Sequence, residues 1–335
     1  MDFLFTPEQD EAAELAAQIL ADKTTNERLK EVEAGGDRFD RELWATLGDA
    51  FDWAELDLIM LARVLVEVGR HVAPVPLATH TACTTLLTGA GLDARHGLYA
   101  AAVAEELAHL PATPTVSADA AGALTGTKTL VRGGMAADAL LVTATGPSGV
   151  GVHLVEAAAV DRRAQHTSDG DVAALVTLDA TPSTRVGGAE AAERLGQLLV
   201  ALAAAEQLGV TEGALRLTSE YAKTREQFGR PIGTFQAVSQ RLADGFIDVL
   251  GQRLTLWQAI WRLQEGLPAA TEVATAKLWA ADAGHRIAHT TVHVHGGVGI
   301  DLDGEAHRYF TSGKRFEFLF GGATEQALAV GRSFA

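Results

Sequence analysis

Between Tyr221 and Gln240 the sequence YAKTREQFGRPIGTFQAVSQ ends one long helical pattern, turns, and starts a second. Gly229 and Pro231 interrupt the helix, and Thr234 stands where it can cap the next one. A helix is predicted over 188–224 before the corner and over 233–265 after it. In the second, Val238, Leu242, Phe246, Val249, Leu250, Leu254, Trp257 and Trp261 recur at spacings of three and four. The pattern lasts about seven turns, a length that suits a helical bundle, and the whole stripe is expected to be core, tryptophans included. A third helix over 268–294 and a shorter C-terminal set complete an antiparallel bundle. At the corner itself, Arg225 lies between a helix end and a helix start, where a two-pronged cation and free backbone N–H groups suit a phosphate. The same residues suit a solvated surface turn, and the chemistry alone leaves both readings open.

The rest of the chain divides by texture. Thr6-Pro7-Glu8-Gln9 carries a cap, a proline at the first helical position and a glutamine three residues after the cap. Ala12, Leu15, Ala16, Ile19 and Leu20 then repeat with helical spacing, and a second amphipathic run extends from Phe39 through Leu47. LIMLARVLVEVGR, after Asp57, is apolar on nearly all sides and should lie inside its unit. Together with Thr79 to Leu87 these runs predict an N-terminal α domain over 1–111. From 112 to 186 Pro, Gly, Thr and Val rise, and Thr115–Ala118, Leu124–Val131, Ala139–Thr145, Val150–Val155 and Ala173–Leu178 read as strands. Short strands with no helices between them predict an antiparallel barrel or sandwich. Gly126-Thr127-Lys128 lacks the spacing of a phosphate loop and reads as strand. The bundle occupies 187–335, so the expected fold class is mostly α with a small central β domain.

Charge and residue usage exclude several functions. A net charge of −16 repels nucleic acid and anionic membranes, while a local basic pocket could still hold a phosphorylated cofactor. No run approaches the ~20 uninterrupted apolar residues that span a bilayer. The start MDFLFTPEQDE has no basic region and no extended apolar stretch, so it does not read as a signal peptide, and a cytoplasmic location is expected. Cys83, alone of its kind, excludes an internal disulfide framework and reads as buried filler. The histidines build no convincing ligand set, since His293-Val294-His295 supplies two ligands only, and no metal is expected.

The order of α domain, small β domain and helical bundle, with REQFGRPIGTFQ at the first bundle corner, resembles the acyl-CoA dehydrogenase family. The likeness covers most of the chain. It is strongest in Arg225–Gln236, in the run from His293 through Gly296 and Gly297 to Gly299, and in the tail Phe318–Glu325. The resemblance implies that Arg225, Phe228 and Gln236 contact the FAD of a neighbouring subunit. It also implies that the Gly-rich run approaches the same cofactor, with His293 standing where the family usually has Gln.

Departures from the family pattern carry as much information. A TEPxAGSD-like stretch usually enters the β domain and holds the subunit's own flavin; here the region reads Val103-Ala104-Glu105-Glu106-Leu107, then LPATPTVSAD. The usual tail is EGT with Glu as the base, and this chain has Gly321-Gly322-Ala323. Some relatives carry the base on the first bundle helix, where the matching region near Leu199 is apolar and Glu206 follows about two turns later as a weak substitute. The set resembles the shorter, catalytically incomplete subunit of actinobacterial heteromeric acyl-CoA dehydrogenases, several of which act on steroid side-chain CoA thioesters. It implies a heterotetramer with a homologous partner that supplies the catalytic Glu, an acyl-CoA substrate, and an electron-transfer acceptor. A non-catalytic scaffold and a self-sufficient homo-oligomer with a displaced base are the alternatives.

Overall fold

The computed structural model describes residues 4–94 and 96–334; the first three residues of the amino-terminal stretch discussed above lie outside them. In chain order the helices α1 Pro7–Lys23, α2 Asn26–Ala34, α3 Arg41–Ala50, α4 Leu58–Arg70 and α5 Leu77–Gly89 come first. Strands β1 Tyr99–Ala102, β2 Ser117–Ala118, β3 Leu124–Val131, β4 Ala139–Gly146, β5 Gly149–Glu156, β6 Asp161–His166, β7 Val172–Thr181 and β8 Thr184–Gly187 follow. The remainder is α6 Ala189–Thr224, a two-residue hairpin β9 Glu226–Gln227 and β10 Arg230–Pro231, then α7 Gln236–Gln264, α8 Ala270–His295, α9 Ala306–Phe318 and α10 Ala323–Arg332. By contact the chain forms two compact units, one from 1–34, 58–73 and 203–335, the other from 35–57 and 74–202. The texture-based division at 111 and 186 follows sequence; this division follows packing.

The second unit holds the sheet, in the order β6-β7-β3-β2-β4-β5-β8 with β1 also paired to β4. The expected all-antiparallel arrangement is corrected here, because β1 and β2 both run parallel to β4 and the sheet is mixed. Strand β1 went unpredicted for a physical reason: Tyr99-Ala100-Ala101-Ala102 has little β-branched or aromatic character, and its strand state comes from pairing with β4 and burial of its alanines. Lys128 on β3 is fully buried. Its ammonium donates to Glu105 Oε1 at 2.7 Å, Thr143 Oγ1 at 3.0 Å and the Val103 carbonyl at 3.2 Å, so each of its donors is satisfied. A second inward ion pair, Arg38 with Asp169 at 3.3 Å, is equally shielded from water.

The first unit is helical. Thr6 and Gln9 exchange the two hydrogen bonds of a capping box at the start of α1, and α4 is buried nearly throughout, both as predicted. Helices α4 and α6 approach backbone to backbone through two glycines. A Cβ at Gly69 would stand 1.9 Å from the Glu206 carbonyl oxygen, and one at Gly209 the same distance from that of Val66. Helix α6 is long and apolar enough in length and composition to cross a bilayer, yet 89% of its most apolar stretch is buried inside the protein, as in a core helix.

The stripe assigned to α7 is corrected. Its buried side is Gly245, Asp248, Val249, Gln252, Leu256, Ala259, Ile260 and Leu263, whereas Phe246 (59% exposed), Ile247, Leu250 and Leu254 face outward. Tolerance of Gly245 and Gln252 on the inner side explains the error, since small and polar positions carry no hydrophobic signal. Thr234 is also not the cap of α7. It lies in a single tight turn, with its hydroxyl donating to the Pro231 carbonyl at 2.7 Å, and Phe235 holds the N-cap position with no side-chain cap bond.

Replacing Gly209 with Ala tests the α4–α6 crossing. Helix propensity alone would make the change stabilising by up to about 1 kcal/mol. The clash with the Val66 carbonyl is backbone against backbone and cannot be relieved by a rotamer, so Gly209→Ala is expected to destabilise by about 1–3 kcal/mol. The urea midpoint should fall; an unchanged or raised midpoint would mean that the helices do not meet at this glycine.

Candidate functional site

The corner is a tight hairpin. Gln227 pairs with Arg230 and Glu226 with Pro231, and the two linking residues, Phe228 and Gly229, both have positive φ, 55° and 76°. Glycine adopts this conformation freely; a bulky aromatic does so at a cost of order 1–3 kcal/mol. The result is that the Phe228 ring projects outward, 93% exposed, with its edge toward Phe235 at 6.1 Å between centroids. Arg230 lies over the other aromatic, 4.2 Å from the centre of the Phe235 ring. Arg225 ends α6 with its amide bonded to the Tyr221 carbonyl, and its own carbonyl receives the Ile232 amide at 2.8 Å. The backbone at Arg225 is therefore fixed, while its guanidinium is exposed and has no hydrogen bond or ion pair among the described residues. Gln236 opens α7 and is exposed.

The Gly-rich run sits at the end of α8. His293 is exposed in the last turn, and Gly296 terminates the helix at φ 65°, its amide bonded to the Val292 carbonyl. No atom lies within 4 Å of a Cβ built on Gly296 or Gly297, so the outer side of this backbone is open to close approach. What ties the run to the corner was not legible in sequence: the ring of Tyr221, near the end of α6, stacks on that of His295 at 4.3 Å and 23°. His295 also bonds the Thr291 carbonyl through Nδ1 at 2.8 Å, and burial lowers its pKa, which favours the neutral ring in this stack. One side of the first unit thus presents an unpaired guanidinium, an exposed aromatic and an open glycine backbone.

Gly321, in the tail after α9, has φ 107°, a conformation that side chains rarely adopt, and a Cβ there would meet Gln326 Nε2 at 2.7 Å and Glu325 Oε2 at 2.9 Å. A glutamate at this position is opposed by the backbone conformation; the Gln326 and Glu325 atoms are ends of flexible side chains that can turn aside. Lys277 of α8, completely buried, donates to the Phe316 and Glu317 carbonyls at 2.7 and 3.2 Å, holding the last turn of α9 just before this tail. Burial pushes its pKa down to about 7 against the opposing influence of Glu317 and Glu325. Glu206 is 3% exposed at the α4–α6 crossing, with its carbonyl against Gly69.

At the mouth of the β unit, the Glu105 carboxylate accepts from the Thr115 amide and hydroxyl at 2.7 and 2.8 Å, from the Val116 amide at 3.1 Å, and from Lys128. Burial opposes ionisation of Glu105, but these donors outweigh it and keep its carboxyl below the usual range. The donors of Thr115 and Val116 are consumed internally.

Lys277 makes a pH signature. The unfolded lysine keeps its proton to about pH 10.5, the folded one to about 7, so between these values the unfolded state binds the extra proton and folding stability rises with pH. The rise is at most about 1.4 kcal/mol per unit. Lys277→Met should lack this increment, read as the difference between the two proteins' urea midpoints at pH 7 and pH 9; equal pH slopes would show that Lys277 stays protonated.

The chain has counterparts among known proteins. Residues 190–334 match the family described as acyl-CoA dehydrogenase, C-terminal domain. The chain is 42% identical to the acyl-CoA dehydrogenase FadE27 of Mycobacterium tuberculosis, across 100% of this chain and 99% of that protein. Among solved structures it is similar to a chain of the ChsE4-ChsE5 complex from Mycobacterium tuberculosis, with TM-score 0.92, 41% identity and coverage of 100% and 99% of the two chains. A chain from a variant of the Tcur3481-Tcur3483 steroid ACAD gives TM-score 0.92 and 35% identity, covering 98% of this chain and 97% of that one.

Proposed function

The chain belongs to the acyl-CoA dehydrogenase family, and we propose that it serves as the catalytically incomplete subunit of a heteromeric, cytoplasmic acyl-CoA dehydrogenase. The substrate class is a CoA thioester, with a steroid side chain as the acyl group suggested by the steroid ACAD among the two paired-subunit structures it resembles. The observation that carries this reading is the exposed, unpaired Arg225 guanidinium beside the outward Phe228 ring. A fixed backbone with a free cation suits a phosphate brought by another chain.

The residues fit FAD at such an interface. Arg225 would pair with its pyrophosphate, Phe228 and Gln236 would meet its adenosine portion, and His293, Gly296 and Gly297 would line its approach. When bound, FAD supplies the acceptor for the hydride from the substrate's β-carbon. This chain's task is to bind and orient. The proton at the α-carbon falls to a glutamate of the homologous partner, because Gly321 carries no acid and its φ of 107° disfavours one. The region where the family holds its own flavin has Thr115 and Val116 engaged by Glu105, which supports a site shared across subunits in a heterotetramer. The outward apolar residues of α7 give the partner a surface to cover. Electrons leave the complex to a separate transfer protein.

Two measurements test the proposal. Expressed alone, the chain should be colourless or nearly so; co-expressed with its homologous partner it should carry about one FAD for each pair of unlike subunits, as a shared two-chain site requires. Stoichiometric FAD on the chain alone would favour a self-sufficient homo-oligomer. In the complex, Arg225→Ala should weaken FAD by about ten- to a hundredfold, the ~1.5–3 kcal/mol of a charge-assisted contact, with Arg225→Lys intermediate and turnover restored by added FAD. Glu206→Gln should leave turnover near wild type; a loss of ~10²–10⁴-fold in a folded variant would make Glu206 the base.

A further inference from the structure

The hairpin that follows Arg225 carries a second exposed guanidinium, that of Arg230. Like Arg225, it has no hydrogen bond or ion pair among the described residues, yet it does not hang free. Its carbon stands over the Phe235 ring, 4.2 Å from the centre. Phe235 is itself anchored: its amide donates to the Ile232 carbonyl at 3.1 Å, and the neighbouring Thr234 hydroxyl donates to that of Pro231 at 2.7 Å. A cation–π contact uses the charge of a guanidinium and leaves most of its five N–H donors for another partner. It also restrains the side chain before any ligand arrives, which lowers the entropy lost on binding.

Register sets the two arginines on one face. Gln227 pairs with Arg230 and Glu226 with Pro231, and the bond from the Ile232 amide to the Arg225 carbonyl at 2.8 Å extends the ladder by one more pair. Pro231, with no N–H to give, falls at the intervening pair, where none is needed. Side chains alternate in direction along paired strands, so Arg225, Gln227, Arg230 and Ile232 share one face of the hairpin. The carboxylate of Glu226 belongs to the other face, with Pro231. On their common face Arg225 and Arg230 are diagonal neighbours, a relation that separates residues by about 7–8 Å and lets two long side chains converge.

Two guanidinium groups on a hairpin face that carries no carboxylate of its own suit two linked phosphates. We infer that Arg230 is the second arm of a diphosphate clamp: Arg225 takes one phosphate, Arg230 takes the other, and Phe235 holds the second arm in place. The inference rests on the FAD reading above and deepens it, because it makes the corner a reader of the diphosphate as a unit. CoA carries a diphosphate as well, and the experiment separates the two sources.

FAD affinity is read in the co-expressed complex from the rise of flavin fluorescence on dilution. Arg230→Met keeps an apolar group over Phe235 and removes the charge; it should weaken FAD about tenfold, with Arg230→Lys intermediate. ADP should compete with FAD better than AMP does, and Arg230→Met should remove most of that advantage. Unchanged FAD affinity in folded Arg230→Met, with Arg225→Ala still weakening FAD, overturns the inference and leaves the proposed function standing. A loss of FAD affinity with the preference for ADP over AMP intact also overturns it, since Arg230 then acts only as a support for Phe235. If neither variant alters FAD affinity while both raise the KM for acyl-CoA, the clamp stands, its diphosphate is that of CoA, and the FAD assignment of the corner falls. If neither variant alters either quantity, both fall.

Discussion

The contact between α4 and α6 governs the first unit. Two helices that meet at a distance where neither Gly69 nor Gly209 has room for a methyl group must cross at one place and in one register, since sliding either by a residue would bring a side chain against a carbonyl. That crossing places the second half of α6, and with it the point at which the helix ends in Arg225. Tyr309 reinforces the arrangement from α9 by donating to the Arg70 carbonyl at 2.8 Å, and Arg70 itself sits between Glu67 and Glu212. The corner at Arg225 is thus held by backbone contact several turns away, with few side chains of its own.

Much of this was legible in the sequence, and the parts that were not share a cause. Capping at Thr6, the strand Leu124–Val131 and the long helix before Arg225 follow from local rules, and the structure has them at nearly the predicted bounds. The inner face of α7 was misread because it is made of Gly245, Asp248 and Gln252 as much as of leucine; Asp248 is neutralised by Arg286 at 2.7 Å, a partner 38 residues away that periodicity cannot see. Lys128 and Glu105 escaped for the same reason. Each is a charged residue in a local window and becomes interior only through the other.

The candidate site divides in the same way. Its composition came from motif and resemblance, Arg225 and the glycines being recognisable as such. Its surroundings did not: the engagement of Thr115 and Val116 by Glu105 and the φ of 107° at Gly321 are facts of three dimensions. The first spends donors inside the chain, and the second is a backbone conformation that a side chain rarely adopts.

The outward apolar residues of α7 have a consequence when set beside the chain's net charge of −16. Phe246, Ile247, Leu250 and Leu254 would gain by leaving water against any apolar surface, a second copy of this chain included. Two such copies, however, bring like charge together, and that repulsion acts over roughly a Debye length, about 8 Å at physiological salt. The hydrophobic stripe is indifferent to the identity of what covers it, whereas the field around it is not. Within that distance it is the charges beside the stripe on α7 that count, Arg241, Asp244 and Arg253 among them, so that selectivity at this surface depends on what surrounds the contact as well as on the contact itself.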